Sequence, residues 1–178
     1  DLSHALQMAS RTDAGMVRSH NEDAVFSNAA PGLAILADGM GGYNAGEVAS
    51  GMATTLLGSE LEKAFQKTAP HQLDASGKLY SHSVLETEIA RANTAIYQAA
   101  QSQPQYAGMG TTLVVTLFYD NMMTVAHMGD SRLHRLRGDA LGPHHRHAAL
   151  RPGRLPDGAA LGHVVEEQEA DIVVERHP

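Results

Sequence analysis

Residues 33–42, LAILADGMGG, constrain the fold of this chain more than any other stretch. Five consecutive apolar residues lead directly into Asp38, and glycines follow it. An apolar run of this length is typical of a strand that is buried on both faces. We therefore predict a buried strand over residues 33–37 that ends at Asp38 and presents its carboxylate there.

The rest of the chain alternates between the periods of strands and helices. Short strands are predicted within residues 5–15 and over residues 24–28. Apolar residues then recur at helical spacing from Val48 to Phe65 and from Val84 to Tyr97, which predicts two amphipathic helices. The intervening residues 67–82 contain proline, glycine and serine without a period, and are predicted to form a loop.

Strand patterns return after Gly110. Residues 111–119 are β-branched and apolar, the Asp120-Asn121 pair indicates a turn, and residues 122–129 run back. Residues 131–139 alternate before a Gly-Asp turn, so this part is predicted to be an antiparallel meander. Strands, then two helices, then strands indicate an α+β layered domain.

The C-terminal part has a different composition. Residues 140–163 are rich in proline, histidine and arginine and show no period, so no regular structure is predicted for them. The acidic residues 164–178 are compatible with a short helix or a surface strand. His144, His145 and His147 suggest a metal buffer, but such a cluster in an irregular tail is more often adventitious.

Composition excludes several classes of function. A chain of 178 residues suits one domain, and its lack of cysteine leaves only oxygen or imidazole ligands for a metal. A formal net charge of −7 argues against nucleic acid as a partner. No apolar run is long enough to cross a bilayer, and residues 1–15 do not resemble a signal peptide, so we expect no membrane partner and a cytoplasmic location.

Three aspartates lie at predicted strand ends. Asp23 begins the second strand, Asp38 ends the third and Asp130 follows a later one. If these ends meet at one edge, the carboxylates form a site for a hard cation such as Mg²⁺ or Mn²⁺. Glu22 points to the opposite face of an ideal strand from Asp23, so a bend is needed for both to face one site.

Each of these signals is weak by itself. Asp38-Gly39 after an apolar strand is most often a turn, and an acidic pair such as Glu22-Asp23 is usually a solvated face. Asp130 with Ser131 is compatible with a simple cap or turn. The prediction of metal binding therefore depends on all of these residues occurring together.

Four segments in sequence order resemble one known family. The segments are RTDAGMVRSHNEDAV, LAILADGMGGYNAGEVAS, GMGTTLVV and AHMGDSRLHRLRGD, and they span about Ala5 to Asp139. Together they resemble the metal-dependent protein phosphatases, the PPM or type 2C family, in its bacterial form. The resemblance implies a sandwich of two antiparallel β-sheets flanked by α-helices, in four αββα layers. It also implies a metal centre between the sheets and hydrolysis of phosphoserine and phosphothreonine.

The resemblance assigns metal roles to five residues. It implies that Asp38 bridges two cations and that the Gly39 carbonyl is a ligand of one of them. Glu22 and Asp23 resemble the acidic pair that binds the cations through water or supports that shell. Asp130 corresponds to an aspartate associated with a third, weaker metal. The implied cofactors are Mn²⁺ or Mg²⁺, two or three per complete domain.

The resemblance also assigns the substrate contact. Arg18 corresponds to the arginine that holds the substrate phosphate, and a guanidinium fork matches phosphate oxygens; the alternative is a surface ion pair. Met40 stands where some members carry a proposed acid histidine, so no side chain at that position can protonate the leaving group. Thr111, Thr112 and Ser131 are interpreted as structural.

The later part of the family pattern is missing from these residues. The family's further Asp-Gly after an apolar strand and its final Asp-Asn do not appear, and Asp157-Gly158 follows no strand. A shortened chain, a sequence with regions left out and a degenerate relative all fit this pattern. Residues 1–139 are therefore interpreted as the N-terminal part of a catalytic domain, and 140–178 as an irregular tail and a remnant of the family's flap. By itself this chain is expected to bind one Mn²⁺ weakly and to be inactive.

Two functions are compatible with the sequence. The favoured one is a protein serine/threonine phosphatase that acts, as a monomer when complete, on phosphoproteins made by a serine/threonine kinase. The alternative is a catalytically inactive, phosphatase-like module that binds phosphoproteins or another partner. The presence of Arg18 and of all four acidic residues favours the first, because a drifting pseudoenzyme has no chemical need for them.

Overall fold

An antiparallel sheet packed against two long helices forms the main body of the protein. The computed structural model describes residues 1–42, 44–120, 122–137, 140–143 and 171–176. The strands are β1 (Leu6–Arg11), β2 (Asp23–Asn28), β3 (Leu33–Met40), β4 (Gly110–Thr111), β5 (Leu113–Tyr119), β6 (Met122–Met128), β7 (His134–Arg137), β8 (Ala140–Pro143) and β9 (Asp171–Arg176). The helices are α1 (Ala45–Lys67) and α2 (Tyr80–Ser102), and one 3₁₀ turn follows at Pro104–Tyr106.

Strand β3 lies in the interior of the sheet. Within the described residues the sheet has the order β2-β3-β5-β6, and β4 pairs with β3 beyond the end of β5. All of these neighbours are antiparallel. Two further antiparallel pairs are formed by β1 with β9 and by β7 with β8. The predicted strand at residues 33–37 and the predicted meander are therefore present.

The hydrophobic core lies between the sheet and the helices. Leu33 and Ile35 of β3 are fully buried, as are Leu57 and Leu61 of α1 and Leu85 of α2. Near the end of β3 the core consists mainly of small residues, which are Ala37, Ala45, Ala49 and Ala53. Small side chains let two backbones approach closely, so the start of α1 lies directly against the end of β3.

Three sequence predictions need correction or completion. Asp38 does not end its strand, because Gly39 and Met40 continue β3 by pairing with β4. The prediction of no regular structure is wrong for residues 140–143, which pair with β7, since a main-chain ladder can form without an apolar period. Of the two alternatives left open for residues 164–178, the strand is confirmed over Asp171–Arg176.

Both predicted helices are present, and each is 23 residues long. The second begins at Tyr80, within the segment predicted as a loop, because a sequence period does not locate the first turn of a helix. Among the described residues no helix has the length and apolarity needed to cross a membrane. The three histidines of the tail, Asp139 and Asp157-Gly158 lie outside the described residues.

Candidate metal centre

Asp23 and Asp38 lie directly opposite each other on neighbouring strands. The Gly39 N–H donates to the Glu22 carbonyl at 3.0 Å, so that pair of residues is hydrogen-bonded and the next pair, Asp23 with Asp38, is not. Opposite residues at such a position point to the same face, with Cβ atoms about 4.5–5.5 Å apart. The strand register therefore holds the two carboxylates side by side.

The pKa values of the two carboxyl groups show that both resist being charged at the same time. Burial raises the pKa of the Asp23 carboxyl to about 7, and the facing Asp38 carboxylate adds to the shift. Burial also raises the pKa of Asp38, while its hydrogen bond with Asp23 lowers it; Asp130 raises this pKa and Arg18 lowers it. Without a cation, some molecules therefore keep a proton on Asp23 at neutral pH.

Three buried carboxylate oxygens lack a donor. Within the described part of the chain, no hydrogen-bond partner reaches Glu22 Oε1 or either oxygen of Asp23 when these groups are charged. A buried, unpaired carboxylate is costly, and a cation removes that cost. This all-oxygen donor set fits a hard divalent ion such as Mg²⁺ or Mn²⁺.

The protein side chains do not enclose such an ion by themselves. Over the ranges that the structure describes, no group of three aspartate, glutamate or histidine side chains is arranged to hold a metal. A hard cation commonly completes its shell with main-chain carbonyl and water oxygens. The role of the Gly39 carbonyl in that shell stays a prediction.

Arg18 and Glu22 form an ion pair beside the two aspartates. Arg18 Nη1 donates to Glu22 Oε2 at 2.7 Å. The arginine charge lowers the pKa of both Asp23 and Asp38, so the guanidinium lies close enough to act on the whole cluster. Its side chain is 34% exposed, and that of Glu22 is 12% exposed. Arg18 is thus an accessible cation at the rim of a buried acidic group, and its contact with phosphate stays a prediction.

Glu22 is held against the first turns of α1. The fully buried Ser50 hydroxyl donates to the Glu22 carbonyl at 2.6 Å. A Cβ added at Gly46 would lie 2.4 Å from Glu22 Oε1, and one added at Gly39 would lie 2.0 Å from the Gly46 carbonyl oxygen. Glycine is therefore required at both positions for strand, helix and Glu22 to meet.

Glu22 lies just before the first residue of β2, in the position where the sequence requires a bend. Its negative charge raises the pKa of Asp23, so the two neighbouring carboxylates are within electrostatic range of each other. The partial positive charge at the start of α1 favours an anion there. Glu22 lies outside the bounds of β2, although its carbonyl accepts from the Gly39 N–H, so the predicted bend that turns Glu22 and Asp23 to one site stays a prediction.

Asp130 approaches Asp38 from the end of β6, the strand at the opposite edge of the sheet from β2. Strand β6 ends at Met128, and Gly129 turns the chain with φ +91°. The Asp130 side chain is exposed, and its charge raises the pKa of Asp38. Each of the five predicted residues with charged side chains thus interacts electrostatically with at least one of the others.

Ser50 and Gly46 are parts of the site that the sequence analysis missed. Both lie on the buried face of α1, where Ala45, Ala49 and Ala53 follow one another at four-residue spacing. This spacing of small residues indicates close backbone contact. It does not by itself reveal that the partner is a buried glutamate.

Comparison with known proteins relates the chain to bacterial protein phosphatases. Residues 14–145 match the profile of the family described as protein phosphatase 2C. The chain is 38% identical over 136 residues to the serine/threonine protein phosphatase PstP of Mycobacterium tuberculosis. It is 35% identical over 161 residues to the serine/threonine phosphatase stp of Listeria innocua. The first match covers 76% of this chain and the second 86%.

The chain spans only part of these relatives, namely 24% of PstP and 61% of stp. Among solved structures, it is similar to the catalytic domain of PstP in complex with two manganese ions. That match has a TM-score of 0.68 and 31% sequence identity, and covers 98% of this chain and 74% of the other. The likeness confirms the predicted α+β fold class.

Proposed function

Because the chain belongs to the protein phosphatase 2C family, we propose that it carries a metal-dependent protein serine/threonine phosphatase activity. The reaction is hydrolysis of phosphoserine and phosphothreonine in proteins. Divalent cations, when bound, supply the Lewis acidity that lowers the pKa of a water molecule and neutralises charge on the phosphoryl group. The residues of this chain provide the binding site, orient the phosphate and set the electrostatic field around it.

One observation supports this proposal most strongly. Asp23 and Asp38 occupy facing positions of a non-hydrogen-bonded strand pair, and neither oxygen of a charged Asp23 has a hydrogen-bond partner among the residues that the structure describes. Sheets rarely retain like charges at facing positions, because they repel each other. Such a pair, next to the unsatisfied Oε1 of Glu22, is explained by a role in holding cations.

The roles proposed for the side chains follow from their surroundings. Asp38 and Asp23 hold the cations, supported by Glu22, and Asp130 contributes to a further, weaker position. Arg18 has the exposure and the donor fork needed to bind phosphate oxygens, in exchange for part of its contact with Glu22. Met40 has no titratable group, so a water molecule or another residue protonates the leaving hydroxyl.

We propose Mn²⁺ or Mg²⁺ as the cofactor, with two or three ions per complete domain. The two manganese ions in the similar PstP catalytic domain support this choice. Phosphoserine and phosphothreonine are made by kinases that use ATP, so we propose the cytoplasm, where ATP is available, as the location. A monomer is the proposed state of the complete protein, and size-exclusion chromatography tests it.

Hydrolysis of a phosphothreonine peptide by the complete gene product tests the proposal. We expect turnover with Mn²⁺ or Mg²⁺ and none in excess chelator. An Asp38→Asn variant, purified in the same way, controls for contaminating phosphatases. Turnover that survives chelation would contradict the proposal, and metal-dependent peptide binding without turnover would support the inactive binding module instead.

A further inference from the structure

The strand that pairs with β3 is interrupted at a single residue. β4 and β5 continue one register, since Gly39 lies opposite Thr111 and Leu36 lies opposite Val114. Counting along this register places Thr112 opposite Asp38. Thr112 belongs to neither strand. The regular ladder is therefore interrupted between Leu36–Val114 and Gly39–Thr111, and this gap includes the residue that faces Asp38.

A hydroxyl group replaces the missing main-chain acceptor. The Thr112 N–H donates to the Asp38 carbonyl at 2.8 Å, as in a regular antiparallel pair. The returning bond differs, because the Asp38 N–H donates to Thr112 Oγ1 at 3.1 Å. Thr111 Oγ1 adds a third bond, to the Asp38 carbonyl at 3.0 Å. The backbone of Asp38 is thus held on this side partly by side chains.

The same hydroxyl reaches the loop that carries Asp130. Thr112 Oγ1 and Ser131 Oγ share a hydrogen bond of 2.6 Å, in which either oxygen can donate. The Ser131 carbonyl accepts from His127 Nε2 at 2.5 Å. Hydrogen bonds to both the side chain and the main chain of Ser131, the residue after Asp130, therefore hold the loop in place.

Gly129 allows this close approach. It continues the register of β6 opposite Thr112, and its φ of +91° favours glycine. An added Cβ there would lie 2.9 Å from Thr112 Cγ2 and 3.0 Å from Thr112 Cβ. The loop can thus fold over Thr112 only because position 129 has no side chain.

We propose that the Thr112–Ser131 hydroxyl pair is a positioning device that sets the separation of Asp38 and Asp130. The proposal rests on the proposed function, in which these two carboxylates hold cations. Thr112 fixes the main chain of one and Ser131 follows the other directly. Neither hydroxyl needs to touch a metal or the substrate. Their role is to keep the weaker metal position, at Asp130, in register with the stronger one.

A positioning role and a purely structural role predict different effects of mutation on metal affinity. A structural bond lost from β5 lowers the free energy of unfolding but leaves metal affinity unchanged. A bond that positions a ligand changes metal affinity, typically by tenfold or more when such a supporting group is removed. Thr116 provides the matched control, since it lies on β5 four residues after Thr112, is buried, and donates to the Ala34 carbonyl at 3.4 Å.

The test compares Mn²⁺ titrations of variants of the complete gene product by calorimetry. Ser131→Ala is expected to weaken the weakest Mn²⁺ binding step about tenfold. Thr112→Val removes the same bond and also the acceptor of the Asp38 N–H, so it is expected to weaken every step. Thr112→Ser keeps the hydroxyl and is expected to retain affinity. Thr116→Val is expected to bind Mn²⁺ as the wild type does.

A second readout needs no metal. In chelator, the backbone amides of residues 33–42 in the intact protein are expected to exchange hydrogen faster in Thr112→Val than in wild type. The exchange is expected to be unchanged in Thr112→Ser and Thr116→Val. Adding Ser131→Ala to Thr112→Val should cause no further loss of Mn²⁺ affinity, because the shared bond is already absent. Additive losses in this double variant would overturn the proposal.

The outcomes separate this inference from the proposed function. A wild-type protein that binds no Mn²⁺ would overturn the proposed function itself. A wild type that binds Mn²⁺, together with Ser131→Ala of unchanged affinity, would overturn only the positioning role. Equal weakening in Ser131→Ala and Thr116→Val would also overturn it, because that pattern indicates general loosening of the sheet.

Discussion

Two carboxylates that face each other at a non-hydrogen-bonded strand position repel each other unless a proton or a cation lies between them. Asp23 and Asp38 face each other across β2 and β3, and burial raises the pKa of both. Below about pH 7 the metal-free protein relieves the repulsion by retaining a proton on Asp23. A cation and that proton therefore compete for the same oxygens, which makes the pair sensitive to pH.

This competition predicts how stability depends on pH. The pKa of Asp23 is about 7 in the folded protein and about 3.9 in the unfolded chain. The resulting stabilisation is complete below the unfolded value and is lost as pH rises through the folded one. In chelator, wild type is therefore expected to lose stability between pH 5 and pH 8, measured by urea unfolding.

The Asp23→Asn variant isolates this effect, because asparagine does not titrate. We expect it to lose less stability over the same pH range than wild type, while Asp13→Asn, at an exposed aspartate, behaves as wild type. Identical pH profiles for Asp23→Asn and wild type would show that Asp23 does not titrate with folding.

Arg18 and Asp38 are expected to differ in their kinetic effects. Arg18→Ala should raise KM about tenfold or more, with a smaller fall in kcat, because the guanidinium contacts phosphate in both ground and transition states. Asp38→Asn should remove nearly all activity, since Asp38 holds the cations. Steady-state kinetics on a phosphothreonine peptide measures both, with the exposed Arg11→Ala as control. Similar, mild losses in both variants would reject these roles.

At the scale of secondary structure, the site depends on the contact between the end of β3 and the start of α1. Gly39 and Gly46 meet there without side chains, and Glu22 occupies the space beside them. The buried Ser50 hydroxyl ties α1 to the Glu22 carbonyl. The helix therefore positions an acidic residue that belongs to neither element.

Gly46→Ala tests this contact, and Gly51→Ala is its matched control on the same helix. The new methyl at position 46 overlaps Glu22 Oε1, so we expect lower thermal stability and weaker Mn²⁺ binding. A methyl at position 51 meets nothing within 4 Å, so Gly51→Ala should stabilise by about 0.5–1 kcal/mol. Calorimetric unfolding and Mn²⁺ titration measure both. Equal behaviour of the two variants would show that the contact at position 46 is unimportant.

At the scale of the whole molecule, cation binding should stabilise the fold. The site joins β2, β3, the loop after β6 and the segment before β2, so unfolding any of them destroys it. A ligand present at 100 times its Kd adds about 2.7 kcal/mol to the free energy of unfolding. We expect Mn²⁺ to raise the Tm of the wild-type gene product and to have little effect on Asp38→Asn. An equal rise in both would place the stabilising ions elsewhere.

Much of this organisation is predictable from the order of residues alone. The apolar run before Asp38 predicts β3, helical spacing predicts α1 and α2, and the four linked motifs indicate the family. These features are local, because strand and helix periods are set by neighbouring residues. The charged residues of the site could be named for the same reason, since each lies within a motif.

Other features were decided only by the tertiary structure. Asp38 continues its strand because β4, some 70 residues later, pairs with Gly39 and Met40. Strand β9 forms because it meets β1 at the opposite end of the chain, and residues 140–143 form a strand through β7. The Thr112–Ser131 bond depends likewise on register between strands. Sequence patterns report the faces of single elements, whereas register and long-range pairing depend on which elements pack together, and these determine the geometry of the site.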